Sequence, residues 1–191
     1  MRVYEAAILA GGKSSRMGKD KALLPFGGYT SLARYQYEKL KRVFPKVYIS
    51  SKAGKFDFQA DIVEDGDSEL YSPLIALHTL LAHIEGEALF VIAVDMPFVD
   101  SAAIEELRRL FEKREGLEAA MLAGPDGREP LCAIYAKSAL SEIRKRISQG
   151  KHRLNSLIDA LEHEELACNE PETLCNLNHP SDYLEALRKK G

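Results

Sequence analysis

Three glycines and four cations share one short stretch near the N-terminus. It reads Leu9-Ala10-Gly11-Gly12-Lys13-Ser14-Ser15-Arg16-Met17-Gly18-Lys19-Asp20-Lys21, and Asp20 is its single opposing charge. Glycine lets a backbone approach a ligand closely, and successive N–H groups turned inward make a cradle for anions. The stretch follows an apolar run, Val3 to Leu9, that predicts a buried strand. A strand that feeds a glycine-rich, cationic loop is a device for holding a polyphosphate. A second feature complements it. The run Ala88 to Val94 delivers Asp95 at its exit, followed by Met96-Pro97. Mg²⁺ takes one or two carboxylates and completes its shell with phosphate oxygens and water. Asp95 is therefore the candidate metal ligand. A helix cap is the alternative use of that carboxylate, but Asp100 and Ser101 serve that purpose better.

Two familiar phosphate loops fit poorly. The dinucleotide fingerprint G-x-G-x-x-G is absent, because Gly11 and Gly12 are adjacent and no glycine follows at the required step. The P-loop pattern fits Ala7 to Ser14 only if alanine replaces its first glycine. It would also leave just Arg2 to Ala6 for the strand, and it requires a helix starting at Lys13-Ser14. Gly18 and Pro25 interrupt the residues that follow.

The extended pattern Leu9-Ala10-Gly11-Gly12-x-Ser14-x-Arg16-Met17-Gly18-x-Asp20-Lys21-x-Leu23-Leu24 resembles the signature of the Rossmann-like nucleotidyltransferases. Its Arg-Met-Gly followed by Asp-Lys is most similar to the molybdenum cofactor guanylyltransferases, the MobA-like family. The resemblance implies a Mg²⁺-dependent transfer of GMP from GTP to the terminal phosphate of molybdopterin cofactor, with release of pyrophosphate. It implies Arg16, Lys21 and Asp95 as catalytic residues. It implies nucleotide binding by Leu9, Ala10, Gly11, Gly12, Lys21, Asp65 and Asp95. It implies Asp95 and Asn178 as metal ligands, the latter from a late Asn-x-Asn-x-Pro motif here read as Asn176 to Pro180. Recipient molybdoenzymes or other cofactor-biosynthesis proteins would be the macromolecular partners. Lys13 and Lys19 sit at variable positions and read as surface charges.

The chain departs from the family pattern at a few places. Ser72-Pro73-Leu74-Ile75-Ala76 stands where the family shows Gly-Pro-Leu-Ala-Gly, Ser50 where an asparagine often ends the second strand, and Glu129 where a neutral residue usually precedes Pro-Leu. These changes bear on base selectivity and on the acceptor side. A cytidylyltransferase acting on molybdopterin, another phosphorylated acceptor, and a non-catalytic cofactor carrier are the alternatives. The presence of both Lys21 and Asp95 speaks against a carrier, which needs no metal carboxylate.

These residues need a scaffold that brings distant segments together. Strand and helix signals alternate: strands at 3–9, 47–50, 62–63, 88–94, 119–123 and 131–135, helices at 31–43, 72–84, 102–113, 139–148, 154–161 and 182–190. Short strands are expected at 166–168 and 173–177. Alternation of this kind predicts a single α/β domain over residues 1–191, its mostly parallel sheet covered by helices on both faces. Ligands bind beyond the carboxyl ends of such strands. That rule brings together the glycine loop after the first strand, Asp65 after the third, and Asp95 after the central one.

Composition narrows the class. The 191 residues suit one domain and carry a net charge of −3, so nothing global favours nucleic acid or an anionic membrane as partner. Glu5 interrupts the first apolar run, so a secretory signal is not expected, and no run approaches the ~20 apolar residues of a membrane span. Cys132, Cys168 and Cys175 have no C-x-x-C spacing and read as reduced thiols of a cytoplasmic protein. Neither they nor the histidines have zinc-ligand spacing.

Overall fold

The computed structural model describes residues 4–11, 20–51, 55–64, 72–170 and 172–190. Seven strands form one sheet: β1 (Tyr4–Leu9), β2 (Val47–Ser51), β3 (Asp61–Glu64), β4 (Ala88–Ala93), β5 (Ala119–Gly124), β6 (Gly127–Ala136) and β7 (His163–Ala167). Their order is β3-β2-β1-β4-β6-β5-β7. β6 runs antiparallel to both its neighbours, and every other pairing is parallel. β1 and β4 are buried along nearly their whole length, which suits continuous apolar runs at the centre of a parallel sheet.

Alternate residues of the central strands feed two cores. Ala6, Ile8, Phe90 and Ile92 face one side, which α1 (Leu32–Leu40), α3 (Ser101–Lys113) and α6 (Pro180–Lys190) cover. Ala7, Leu89, Val91 and Tyr135 face the other, under α2 (Pro73–His83), α4 (Leu140–Ser148) and α5 (Leu154–Ile158). Helix starts follow local chemistry. Ser31, Ser72 and Asp100 cap α1, α2 and α3 by accepting N–H bonds from Arg34, Ile75 and Ala103. Glu5, buried in β1 at the end away from the site, accepts from the Tyr48 hydroxyl at 2.6 Å and from the Gly86 N–H.

The sheet has its switch point at β1. The chain leaves β1 for β2 on one side and returns to β4 on the other. In register, Leu9 lies beside both Ser50 and Ala93, so the carboxyl ends of all three strands open at one edge. This is the crevice in which open α/β sheets bind ligands.

Several expected elements differ in detail. The segment 173–177 is a turn and irregular chain, not a strand. The strand expected at 166–168 is β7, beginning three residues earlier. β6 extends back to Gly127 rather than starting at Leu131. Pro130 is tolerated there because the β5–β6 register shifts between Met121 and Ala123, and a bulge needs no ladder donor at that point.

Candidate active site

Asp95 lies two residues past β4, in a turn closed by the Met96 N–H to the Ala93 carbonyl at 3.2 Å. The Val94 N–H bonds the Leu9 carbonyl at 3.1 Å, and the Asp95 carbonyl accepts the Leu177 N–H at 2.9 Å. The turn is thus tied to β1 on one side and to the late segment before α6 on the other.

Lys21 opens a 3-10 turn, Lys21–Leu23, capped by the Asp20 side chain, which accepts the Ala22 N–H at 3.0 Å. Its ammonium donates to the Asp95 carboxylate at 2.9 Å and to the Asn178 amide oxygen at 2.9 Å. Both partners of the Lys21–Asp95 pair are largely covered. Asn178 is fixed in turn by Asp182, whose carboxylate accepts the N–H groups of Asn178 at 3.0 Å and His179 at 2.7 Å. Those backbone bonds, the His179 one foremost, hold the Asp182 carboxyl below its ordinary range. Three segments far apart in sequence therefore bring a carboxylate oxygen and an amide oxygen to one positive charge. Two hard oxygens converging on one cation are a donor set that suits a hard divalent metal.

The residues expected to bind the nucleotide fall in two groups. Leu9, Ala10 and Gly11 form the exit of β1. The Ala10 N–H bonds the Ser50 carbonyl at 2.9 Å, which locks this exit against β2. Arg16, Gly12 and Asp65 lie outside the described residues, as do Lys13 and Lys19. Asn176 does not join Lys21: its amide turns back to the Leu174 carbonyl at 3.5 Å. His152 approaches the Ser72 hydroxyl at 3.1 Å, so the basic loop 151–153 meets the start of α2.

Two further residues stand at the same edge, Lys55, which no motif signalled, and Glu129, a departure from the family pattern. The Lys55 ammonium donates to the Ala10 carbonyl at 2.9 Å and to the Asp20 carboxylate at 2.8 Å. It bridges the residues that lead into and out of the glycine-rich stretch. Half-buried Glu129 faces the charges of Asp95 and Asp126. Burial first, and then those two charges, raise its carboxyl above the ordinary range.

Comparison with known proteins decides the family. Residues 6–166 match the family model described as the MobA-like NTP transferase domain. The chain belongs to this nucleotidyltransferase family. A protein of Aquifex aeolicus named probable molybdenum cofactor guanylyltransferase is 33% identical over 190 residues, covering 97% of this chain and 91% of its own. A Campylobacter jejuni protein named molybdenum cofactor guanylyltransferase is 29% identical over 177 residues, covering 92% of this chain and 91% of its own. Among solved structures, the molybdopterin-guanine dinucleotide biosynthesis protein A of Archaeoglobus fulgidus superposes with a TM-score of 0.82 at 25% identity, over 97% of each chain. For a nucleotidyltransferase the crevice geometry is chemically coherent, since the cation and the two oxygens stand at the strand ends.

Proposed function

We propose that this nucleotidyltransferase transfers GMP from GTP to the terminal phosphate of molybdopterin cofactor. The observation that carries the reading is the junction of Lys21 with Asp95 and Asn178 at the carboxyl ends of β1 and β4. The names of the Aquifex and Campylobacter relatives support the choice of guanine and of acceptor.

In this reading an acceptor phosphate oxygen attacks the α-phosphorus of GTP. The bond from that phosphorus to its bridging oxygen breaks, and pyrophosphate leaves. The acceptor is already a nucleophile, so the protein needs no covalent intermediate and works by positioning and charge stabilisation. Asp95 and Asn178 would hold Mg²⁺, which neutralises phosphate charge when bound. Lys21 stabilises the negative charge that accumulates on the departing pyrophosphate. Its position is set by the capped 3-10 turn and by its two oxygen partners. Arg16, by its place in the signature, adds a forked cation to the same phosphates. The exit of β1, Leu9 to Gly11, together with Gly12 and Asp65, orients the nucleoside.

The test follows pyrophosphate release from purified protein with Mg²⁺, molybdopterin cofactor and each of the four nucleoside triphosphates. Release with GTP alone is expected. Asp95→Asn, which keeps the shape and removes the charge, is expected to lower kcat by about 100-fold or more. Release with CTP instead would retain the mechanism and change the base. No release with any nucleotide from folded protein would sink the reading.

A further inference from the structure

Helix α1 aims two polar side chains, one turn apart, at the segment that carries Asp95. Gln36 is fully buried, and its amide nitrogen donates to the Met96 carbonyl at 2.9 Å and lies 3.5 Å from the Val94 carbonyl. Half-buried Lys39 donates to the Val99 carbonyl at 2.8 Å and to the Pro97 carbonyl at 3.2 Å. The carbonyls on both sides of Asp95, and two more beyond, are thereby held by one helix face.

Packing alone gives no reason for these residue types. The Gln36 side-chain oxygen is buried and finds no hydrogen-bond partner among the described residues. A leucine or methionine would fill the position without that orphaned oxygen, and would lose only the donation to the Met96 and Val94 carbonyls. Lys39 is also an awkward choice. Burial, with a smaller contribution from the Lys190 charge, pulls its ammonium down to about 7 against the opposing influence of Cys132 and Asp100. Two costly groups on adjacent turns converge on the same stretch of backbone, and that stretch presents Asp95 to Lys21 and Asn178.

We propose that Gln36 and Lys39 are positioning residues, a clamp on the backbone of residues 94–99 that sets the direction of the Asp95 carboxylate. The clamp acts through the backbone and touches no substrate. Its catalytic consequence rests on the nucleotidyl-transfer reading, whereas its mechanical consequence does not.

The test compares Gln36→Leu, Lys39→Met and the conservative Lys39→Arg with wild type. Hydrogen–deuterium exchange of the 94–99 peptide reads the clamp directly, and electron paramagnetic resonance of added Mn²⁺ reads the metal affinity of Asp95. Faster exchange confined to 94–99 is expected for the first two variants. Their Mn²⁺ affinity and kcat should each fall by about 10- to 100-fold, while KM for GTP moves by less than about threefold. Lys39→Arg should recover most of each loss. Unchanged exchange and Mn²⁺ affinity in folded variants would overturn the clamp. Should Gln36→Leu fail to fold, Gln36→Met replaces it. If the wild type releases no pyrophosphate with any nucleotide, the functional reading falls, and exchange with Mn²⁺ binding still decides the clamp.

Discussion

Lys55 shows how one ammonium can organise a binding edge without belonging to any motif. It joins the Ala10 carbonyl to the Asp20 carboxylate, and those residues precede and follow the glycine-rich stretch. Hydrogen bonds to charged groups contribute about 1.5–3 kcal/mol, less where water screens them. Asp20 is a third exposed, so the lower end of that range applies. Lys55→Met is therefore expected to raise KM for the nucleotide by about tenfold, with kcat changed by less than about twofold. Steady-state kinetics at fixed acceptor concentration would check it, and an unchanged KM would count against the role. Nothing in Ser51-Lys52-Ala53-Gly54-Lys55 signals this in advance, because a lysine beside a glycine reads as a solvated turn. Lys21 and Asp95 were legible for the opposite reason. Each stands at a fixed place in a patterned run, and the strand before Asp95 announces where its carboxylate emerges. Gln36 was hidden more deeply. One polar residue within a helix pattern reads as part of the wet face until the fold shows it buried.

At the scale of elements, the tight reversal between Lys21 and α1 sets how the 3-10 turn meets the sheet. Phe26 and Tyr29 exchange backbone bonds of 3.1 and 2.9 Å across Gly27 and Gly28. Both glycines have positive φ, at 55° and 80°, as a two-residue hairpin loop of this hand demands. They differ in surroundings. A Cβ on Gly27 would come within 2.8 Å of the Tyr35 ring, and one on Gly28 would meet open space. Gly28→Ala should cost about 1 kcal/mol from backbone strain alone. Gly27→Ala should cost roughly 1–3 kcal/mol more, since the ring must also move. Urea denaturation of the two variants gives the difference, and equal losses would refute the steric account. Element types were largely readable from apolar periodicity, and each miss has a local cause. β7 is an edge strand whose His163-Glu164-Glu165 half is polar, which dilutes the period-two signal. In β6, the strand was expected to start just after Pro130, whereas the bulge lets it pass through that residue. At 173–177 a short run with Leu174, Cys175 and Leu177 has the apolar content of a strand. Leu177 is nevertheless buried as an anchor, bonded by its N–H to Asp95.

Over the whole molecule, the site exists only because the chain changes direction at β1. Lys21 and Asp95 are 74 positions apart, and Lys21 and Asn178 are 157 apart. A ligand bound there would touch the exit of β1, the 3-10 turn, the Asp95 turn and the segment before α6. It would thus hold together segments from both ends of the chain. Binding to the folded form alone adds RT ln(1 + [L]/Kd), about 2.7 kcal/mol at a hundredfold excess over Kd. For a domain of this size that corresponds to a rise in Tm of about 5–10 °C. GTP with Mg²⁺ should therefore raise Tm more than CTP with Mg²⁺ at equal concentration. Asp95→Asn should remove the part of the rise that depends on Mg²⁺ and leave the part GTP gives alone. The unliganded variant carries a second consequence. Lys21 neutralises Asp95 in the free protein, so the variant leaves a largely covered ammonium facing a neutral amide in place of a carboxylate. The variant's own Tm should then fall by a few degrees, and a rise instead would show that the Lys21–Asp95 pair is held at the expense of stability, for the sake of the ligand.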